Sequence, residues 1–224
     1  MRLGARSWPE LTGSLVLLLP LGATEQHGPH LPLETDTTIA AALAEAVGSR
    51  HAGVAVAPVL AYGSSGEHAG FPGTLSLGPE VLELAVVELV RSADAFDAVV
   101  VVSWHGGNAE PLARAVARLR DERRQVSVWS RRVRGDLHAG RTETSLMLAL
   151  APELVGDERP HETTEPLDAL LPTLRAGGVA AVSRSGVLGD ARGASAEEGR
   201  ELLAAFVRDL GAFVDAARPA PARA

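Results

Sequence analysis

The 224-residue chain contains no cysteine and no lysine, so all 21 of its basic residues are arginine. The absence of cysteine excludes thiol nucleophiles, iron–sulfur clusters and thiolate zinc sites, and leaves metal binding to histidine, aspartate and glutamate. The absence of lysine excludes a Schiff base with a substrate and a P-loop. Any catalysis by this chain must therefore use imidazole, carboxylate, hydroxyl or guanidinium groups.

The chain also lacks an excess of positive charge and a long apolar segment. Its net charge is −7, with 28 acidic residues against 21 basic ones, so the basic surface that nucleic acids require is not expected. The apolar segment Leu15 to Leu21 is far shorter than the roughly 20 residues that span a bilayer. Glu10 interrupts the basic region that a signal peptide would need. We expect a cytoplasmic protein with neither a nucleic-acid nor a membrane partner.

Short apolar segments alternate with longer segments of helical periodicity, a pattern that predicts an α/β fold with a mostly parallel sheet covered by helices. We expect one domain over residues 1–217 and a disordered tail over 218–224. The proline- and acid-rich segment 151–178 is expected to be a long surface excursion. The predicted strands are 14–22, 54–60, 97–104, 125–130 and 179–183, and the predicted helices are 36–47, 79–93, 109–122, 142–152 and 195–217.

Five of the seven histidines fall on loops that follow the first four predicted strands. Ligands of open parallel sheets bind outside the carboxyl ends of the strands, where these loops converge. We therefore predict one histidine–carboxylate site at that edge of the sheet. The five histidines are His27, His30, His68, His105 and His138.

The loop after the first strand, TEQHGPHLPLETD, contains three candidate metal ligands. Glu25 and His27 are two residues apart, so in an extended segment both can face one cavity, although an isolated E-x-H also fits a solvated loop. Asp36 begins the next helix and could turn toward them or act as its N-cap. His30 and Glu34 are weaker candidates, either on a loop that crosses the surface or packed behind the ligands.

Two further loops contribute candidates. His105 leaves the most apolar strand and is either a satisfied core residue or a ligand, while the glycines after it let the backbone approach a ligand closely. His138 precedes a helix whose first turn holds Glu143, a position that the helix dipole also favours for a carboxylate. A serine hydrolase and a dinucleotide-binding protein are not indicated, because neither G-x-S-x-G nor G-x-G-x-x-G occurs. His51 and His161 are expected at the surface.

Four motifs, in this order and at these separations, resemble the creatininase family of binuclear metal amidohydrolases. They are LPLGATEQHGPHLPLETD, YGSSGEHAGFPGTLSLG, HGGN and HAGRTETSLML. The resemblance covers about residues 15–151 and is weaker over GGVAAVSRSGVLGDARGASAEEG. It implies a three-layer α/β/α sandwich, two divalent ions per chain (Zn, Fe or Mn) and a homo-oligomer, possibly a hexamer.

The resemblance also implies a role for each site residue. Glu25, Asp36 and His105 would bind one ion, and His27, Asp36 and Glu143 the other, with Asp36 as the bridge. His138 would be the catalytic residue, moving a proton from the attacking water to the leaving amine. Creatinine hydrolases carry a glutamate two residues after the histidine that matches His105, whereas this chain has glycine there. The candidate substrate-binding residues are Ser65, Glu67, His68, Trp104 and Asn108.

Within the family, YGSSGEHAGFPGT and GGVAAVSRSGVLGD are most similar to the branch associated with mycofactocin maturation. That branch removes a C-terminal Val-Tyr dipeptide from a precursor peptide, so the resemblance implies hydrolysis of a peptide bond. Two alternatives stay open. One is hydrolysis of a small formamide or a cyclic amide such as creatinine, and the other is a metal-binding subunit without catalytic activity.

Overall fold

A single sheet of four parallel strands organises the chain in the computed structural model, which is described here for residues 1–131 and 136–218. The order across the sheet is β2-β1-β3-β4. All four strands match strands predicted from the sequence. Their bounds are β1 Val16–Leu21, β2 Val54–Val56, β3 Ala98–Ser103 and β4 Val126–Ser130.

Helices cover both faces of this sheet. Helices α1 (Thr35–Arg50), α4 (Arg141–Leu150) and α6 (Ala196–Ala217) share one core with one face of the sheet. Helices α2 (Pro79–Arg91) and α3 (Ala109–Asp121) share a second core with the other face. The predicted three-layer α/β/α arrangement is confirmed, and all pairings among the described strands are parallel.

The side chains of β1 supply both cores in alternation, because successive residues of a strand point to opposite faces. Val16 and Leu18 pack in the core with α1, α4 and α6, whereas Leu17, Leu19 and Leu21 pack in the core with α2 and α3. A strand that is buried on both faces appears in a sequence as a continuous apolar segment. This is why β1 and β3 could be predicted from composition alone.

One strand predicted from the sequence is absent, and one helix was not predicted. Residues 179–183 are not a strand, since Val179–Ala181 form a short 3-10 turn that begins after Gly178 at a φ of 68°. The segment 151–178, predicted only as a long surface excursion, contains the helix α5 at Leu167–Gly177. This helix was missed because Pro172 lies in its interior, where proline removes a backbone donor and normally ends a helix.

Of the predicted disordered tail 218–224, the structure describes Arg218. Arg218 donates a hydrogen bond to the carbonyl oxygen of Ala52 at 2.6 Å. The remainder of the predicted tail, 219–224, lies outside the described residues. Among the helices of the described ranges, none has the length and apolar character needed to cross a membrane.

The order of the strands determines where a site can form. After β1 the chain continues to β2 on one side of it, and after β3 it continues to β4 on the opposite side. The loops that follow the adjacent strands β1 and β3 therefore run in opposite directions. Such a switch point is the usual binding crevice of an open parallel sheet. Here those two loops carry Glu25, His27 and His105.

Gly22 allows α1 to begin close to the end of β1. A Cβ atom on Gly22 would lie 2.4 Å from Cα of Thr37 and 2.5 Å from its backbone nitrogen. Thr37 also donates a hydrogen bond from its hydroxyl to the carbonyl oxygen of Ala23 at 3.0 Å. This contact holds the first turn of α1, which contains Asp36, against the loop that contains Glu25.

Replacing Gly22 tests this contact. We expect Gly22→Ala to force α1 away from β1 and to lower the free energy of unfolding by about 1–3 kcal/mol, the usual cost of overpacking. Urea unfolding of the metal-free protein measures the change. Gly66→Ala is the matched control, because a Cβ there meets no atom within 4 Å. Equal stability of the two variants would contradict the proposed role of the contact.

Candidate metal centre

Seven side chains from the strand-end loops and adjoining helix starts form one cluster, called here the site cluster. Its carboxylates alternate with imidazole rings, and all of its members except Glu143 are buried. Glu143 is largely buried, with 12% of its side chain exposed. The members are Glu25, His27, Asp36, His68, His105, His138 and Glu143, and the partly buried Glu67 adds a donor atom at the edge of the cluster, beside His68 and His105.

Glu25 and Asp36 are at the centre of this cluster. Oε1 of Glu25 lies 3.1 Å from Nδ1 of His105, 3.2 Å from Nε2 of His68 and 3.7 Å from Nδ1 of His138. Asp36 faces two rings, with Oδ1 3.3 Å from Nε2 of His27 and Oδ2 3.4 Å from Nδ1 of His105. Asp36 therefore has one oxygen directed toward each side of the cluster, as a bridging carboxylate requires.

Three carboxylate oxygens of the cluster lack a hydrogen bond. Among the described residues, neither oxygen of Glu25 has a hydrogen-bond partner, and the same holds for Oδ2 of Asp36. A buried carboxylate without hydrogen bonds is costly unless a cation compensates its charge. Glu25, His27 and Asp36 offer donor atoms within 4.8 Å of one another, as do His27, His138 and Glu143. These residues therefore fit divalent metal ions such as Zn²⁺, Mn²⁺ or Fe²⁺.

The backbone orients three of the rings toward the carboxylates. His27 donates from Nδ1 to the carbonyl oxygen of Glu25 at 3.1 Å, and His105 donates from Nε2 to that of Ser64 at 2.9 Å. His138 donates from Nε2 to the carbonyl oxygen of Gln26 at 2.8 Å. The second nitrogen of each ring is thereby left unprotonated when the ring is neutral, and it faces the cluster. Histidines that bind metals are typically held in this way.

Gln26 determines the protonation of the fourth ring, His68. Its Oε1 accepts a hydrogen bond from the Gly28 backbone N–H at 2.9 Å, which fixes the orientation of the amide. Its Nε2 then donates to Nδ1 of His68 at 2.9 Å and to the carbonyl oxygen of Gly186 at 3.0 Å. Neutral His68 must carry its proton on Nε2, facing Glu25. His68 is consequently a weaker candidate ligand than the other three histidines, despite its position.

Charge within the cluster shifts several pKa values. Burial alone would lower the pKa of His27, but the nearby Asp36, Glu143 and Glu25 raise it to about 9. Burial likewise opposes ionisation of His105, whose pKa is raised to about 10, chiefly by Glu25. The pKa of Asp36 is lowered to about 2, because His27 and His105 outweigh the effect of burial. Without metal, protonated histidines thus compensate the buried carboxylates.

Glu143 is held from two directions. Trp104 donates from Nε1 to Oε1 of Glu143 at 2.9 Å, and the Ala139 backbone N–H donates to Oε2 at 2.6 Å. Burial, opposed by His27, raises the pKa of Glu143 to about 7. Oε2 of Glu143 lies 3.9 Å from Nε2 of His27. Trp104 thus orients a candidate ligand in addition to lining the cavity described below.

His138 is the ring of the cluster that is neutral near pH 7 and has a nitrogen free to accept a proton. Its pKa is lowered well below the ordinary value, first by burial and then by the positive charge of His27. The ring is therefore neutral near pH 7, with Nδ1 unprotonated. It also lines a cavity of about 760 Å³ that opens onto the site cluster. His138 can accept a proton from a group in this cavity and return it.

The predicted substrate-binding residues occupy two kinds of position. Glu67, His68 and Trp104 line the cavity. Ser65 and Asn108 are fully buried and are not among the described residues that line it. Asn108 instead accepts from the Ser64 N–H at 2.9 Å and donates to the carbonyl oxygen of Gly22 at 3.1 Å. It connects the loop after β2 to the end of β1.

His30 is buried, so of its two expected positions it takes the one behind the ligands, whereas Glu34 is exposed on the loop. Nε2 of His30 donates to the hydroxyl oxygen of Thr144 at 2.8 Å, because that hydroxyl itself donates to the carbonyl oxygen of Gly140. His30 therefore packs behind the site cluster, against the first turn of α4. Burial lowers its pKa to about 4.

Two residues of the site were not identified from the sequence. Gln26 was not predicted because nothing in the sequence distinguishes an amide side chain between two candidate ligands from an ordinary loop residue. Asp136 accepts a hydrogen bond from the Thr142 N–H at 2.6 Å, which anchors the start of α4 beside Glu143. Its position just before His138 was visible, but its contact with α4 depends on the fold.

Comparison with known proteins agrees with this geometry. The creatininase family model, described as creatinine amidohydrolase, matches residues 5–214. The chain belongs to the creatininase family. A mycofactocin precursor peptide peptidase of Mycobacterium ulcerans (strain Agy99) is 47% identical over 96% of this chain and 88% of its own length. One from Mycolicibacterium smegmatis (strain ATCC 700084 / mc(2)155) is 50% identical over 86% and 81%. A solved manganese creatininase has a TM-score of 0.82 and 29% identity, covering 98% of this chain and 99% of that one.

The hydrolase class and the resemblance to the mycofactocin branch are confirmed by these relatives. Two residues after His105, the chain has Gly107 where the sequence comparison with creatinine hydrolases pointed to a glutamate. A Cβ on Gly107 would lie 2.3 Å from Oε1 of Glu67 and 2.5 Å from Nε2 of His105. Glu67 therefore fills the space that a side chain at position 107 would need.

Among the carboxylates of the site cluster, Asp36 is expected to contribute most to metal binding. We expect Asp36→Asn to lower the number of metal ions bound per chain, because the residue faces His27 and His105 on opposite sides. Elemental analysis after metal loading and gel filtration measures the content. Glu34→Gln changes an exposed carboxylate of the same loop and should keep the wild-type content. The same metal content in the Asp36 variant as in the wild type would contradict its assignment as a bridge.

Metal binding to the metal-free protein should release protons. At pH 7.5, His27 and His105, with pKa values of about 9 and 10, are protonated and must lose a proton before they can bind a metal. We expect about two protons per chain and an apparent affinity for Zn²⁺ that rises with pH up to about 10, the pKa of His105. Titration calorimetry in two buffers of different ionisation enthalpy measures the release. Identical heats in both buffers would show that these rings are already neutral.

Proposed function

We propose that this chain is a mycofactocin precursor peptide peptidase that releases a C-terminal Val-Tyr dipeptide. The main support is its 47% and 50% identity, over 96% and 86% of its length, to proteins of that name. The cavity at the site cluster supports a substrate of this size, since about 760 Å³ lies within the ~300–1,000 Å³ typical of ligand pockets.

Two divalent ions per chain are part of this proposal. Glu25, Asp36 and His105 would hold one of them, and His27, Asp36 and Glu143 the other. The unpaired oxygens of Glu25 and Asp36, and the backbone-oriented rings of His27 and His105, support this division. When bound, such ions polarise a carbonyl group and lower the pKa of water. Zinc, iron and manganese all suit the donor set.

His138 is the proposed proton carrier. Its neutral ring lines the cavity with Nδ1 3.7 Å from Oε1 of Glu25, while Nε2 is committed to the carbonyl oxygen of Gln26. In hydrolysis of the peptide bond, Nδ1 would take the proton of the attacking water and deliver it to the leaving amine. Trp104 would keep Glu143 in place during this transfer. The homo-oligomeric assembly and the cytoplasmic location expected from the sequence stay predictions.

A cleavage assay tests the function. Metal-loaded protein should release Val-Tyr from a synthetic peptide with that C-terminus, as detected by mass spectrometry. We expect His138→Ala to lower kcat by about 10²- to 10⁴-fold, the usual contribution of general acid–base catalysis, without loss of metal. His161→Ala is the control, because His161 is exposed and does not line the cavity.

The remaining outcomes separate the alternatives. Hydrolysis of creatinine or a formamide without release of Val-Tyr would support a small-amide hydrolase. Two bound ions with no turnover of peptide or amide would support the non-catalytic subunit. Full activity of His138→Ala would remove the assigned role of this residue.

A further inference from the structure

Helix α5 forms an apolar wall of the cavity at the site cluster. Leu167, Leu171 and Leu174 follow one another at helical spacing, and all three line the cavity. Gly178, just after the helix, approaches the backbone so closely that a Cβ there would lie 2.6 Å from the carbonyl oxygen of Glu67. This contact fixes the end of α5 beside the loop that carries Glu67 and His68.

Arg175 adds a positive charge to this wall. It lies four residues after Leu171, on the same side of α5, and lines the cavity. Within residues 1–131 and 136–218, no acidic side chain pairs with it. Arg131, which also lines the cavity, is 3.7 Å from Asp209 and stacks over the ring of Phe206. Arg175 is thus the arginine of the cavity with an uncommitted charge.

The acidic residues of the cavity, in contrast, have partners. Glu110 accepts from Arg114 at 2.9 Å, and Oδ2 of Asp136 accepts from the Thr142 N–H at 2.6 Å, while Oδ1 of Asp136 has no hydrogen bond among the described residues. Glu67 lies 3.6 Å from Nε2 of His105, beside the site cluster. The cavity therefore has a carboxylate-rich end at the site cluster and a guanidinium with leucines on α5. A ligand that fits both ends has a polar reacting group, apolar side chains and an anionic terminus.

We propose that α5 binds the C-terminal end of the peptide substrate, with the leucines contacting its apolar side chains and Arg175 binding its terminal carboxylate. This inference rests on the proposed peptidase function. A guanidinium can bind a carboxylate through two parallel hydrogen bonds, which gives both affinity and a fixed orientation. Anchoring the terminus in this way sets which peptide bond reaches the site cluster and makes the enzyme cleave near chain ends.

The test compares two forms of one peptide ending in Val-Tyr, with a free carboxylate or with a carboxamide. We expect the wild-type, metal-loaded enzyme to cleave the free acid with a kcat/KM about tenfold higher, as a lost charge-assisted hydrogen bond predicts. Arg175→Gln should lower kcat/KM for the acid by about tenfold and leave the amide unchanged. Arg200→Gln, a change of an exposed arginine on α6, is the matched control.

The apolar part of the wall has its own variant. Leu171→Ala should raise KM for the acid and the amide alike, by about tenfold, because the leucine contacts side chains and does not recognise charge. Thr173→Ala changes an exposed residue of α5 that does not line the cavity, and it should behave like wild type. Equal kinetics of the Leu171 and Thr173 variants would contradict the proposed contact between the leucines of α5 and the substrate.

Binding to metal-loaded His138→Ala, measured by calorimetry, separates this inference from the proposed function. If the free acid binds more tightly than the carboxamide, if this difference depends on Arg175, and if the wild type cleaves neither, the binding site on α5 is kept and the peptidase function is rejected. Cleavage of acid and amide at equal rates would reject the site and keep the peptidase. Neither binding nor cleavage would reject both.

Discussion

The structure of the site depends on compensating two buried carboxylates. Three of the four oxygens of Glu25 and Asp36 have no hydrogen bond among the described residues, and uncompensated buried charge costs several kcal/mol per ion. In the metal-free state, protons on His27 and His105 supply the missing positive charge, which is why their pKa values rise to about 9 and 10. A divalent cation supplies more charge in the same place. The geometry that raises these pKa values is therefore the geometry that favours metal.

The fold makes this concentration of charge possible because the donors come from different loops. The apolar cores on both sides of the sheet hold β1 and β3 side by side, so their ends must meet. Each loop then uses its backbone to orient a ring, as the carbonyl oxygen of Ser64 does for His105 and that of Gln26 for His138. The free energy gained from apolar packing thus offsets the cost of burying the polar cluster.

Much of this architecture could be predicted from the sequence, and the exceptions have physical causes. β1 and β3 are buried on both faces, so composition alone indicated them. Residues 179–183 share that apolar character, but a five-residue segment cannot distinguish a strand from a turn packed against the core. Helix α5 contains a proline, which concealed it. Strand ends indicated the candidate ligands, whereas the tautomer of His68 depends on Gln26 and Gly186, which only the folded chain brings together.

The site cluster by itself does not select a substrate, because imidazoles and carboxylates can act on any amide that reaches them. Substrate selection must come from the residues that line the cavity, and two features of this lining bear on it. Glu67 fills the space next to Gly107, so the side of the cavity beside His105 carries a carboxylate from another loop. On α5, leucines and an unpaired guanidinium face the same cavity. A small neutral amide would leave both unused, whereas a peptide terminus would contact them, so these walls favour a peptide over creatinine.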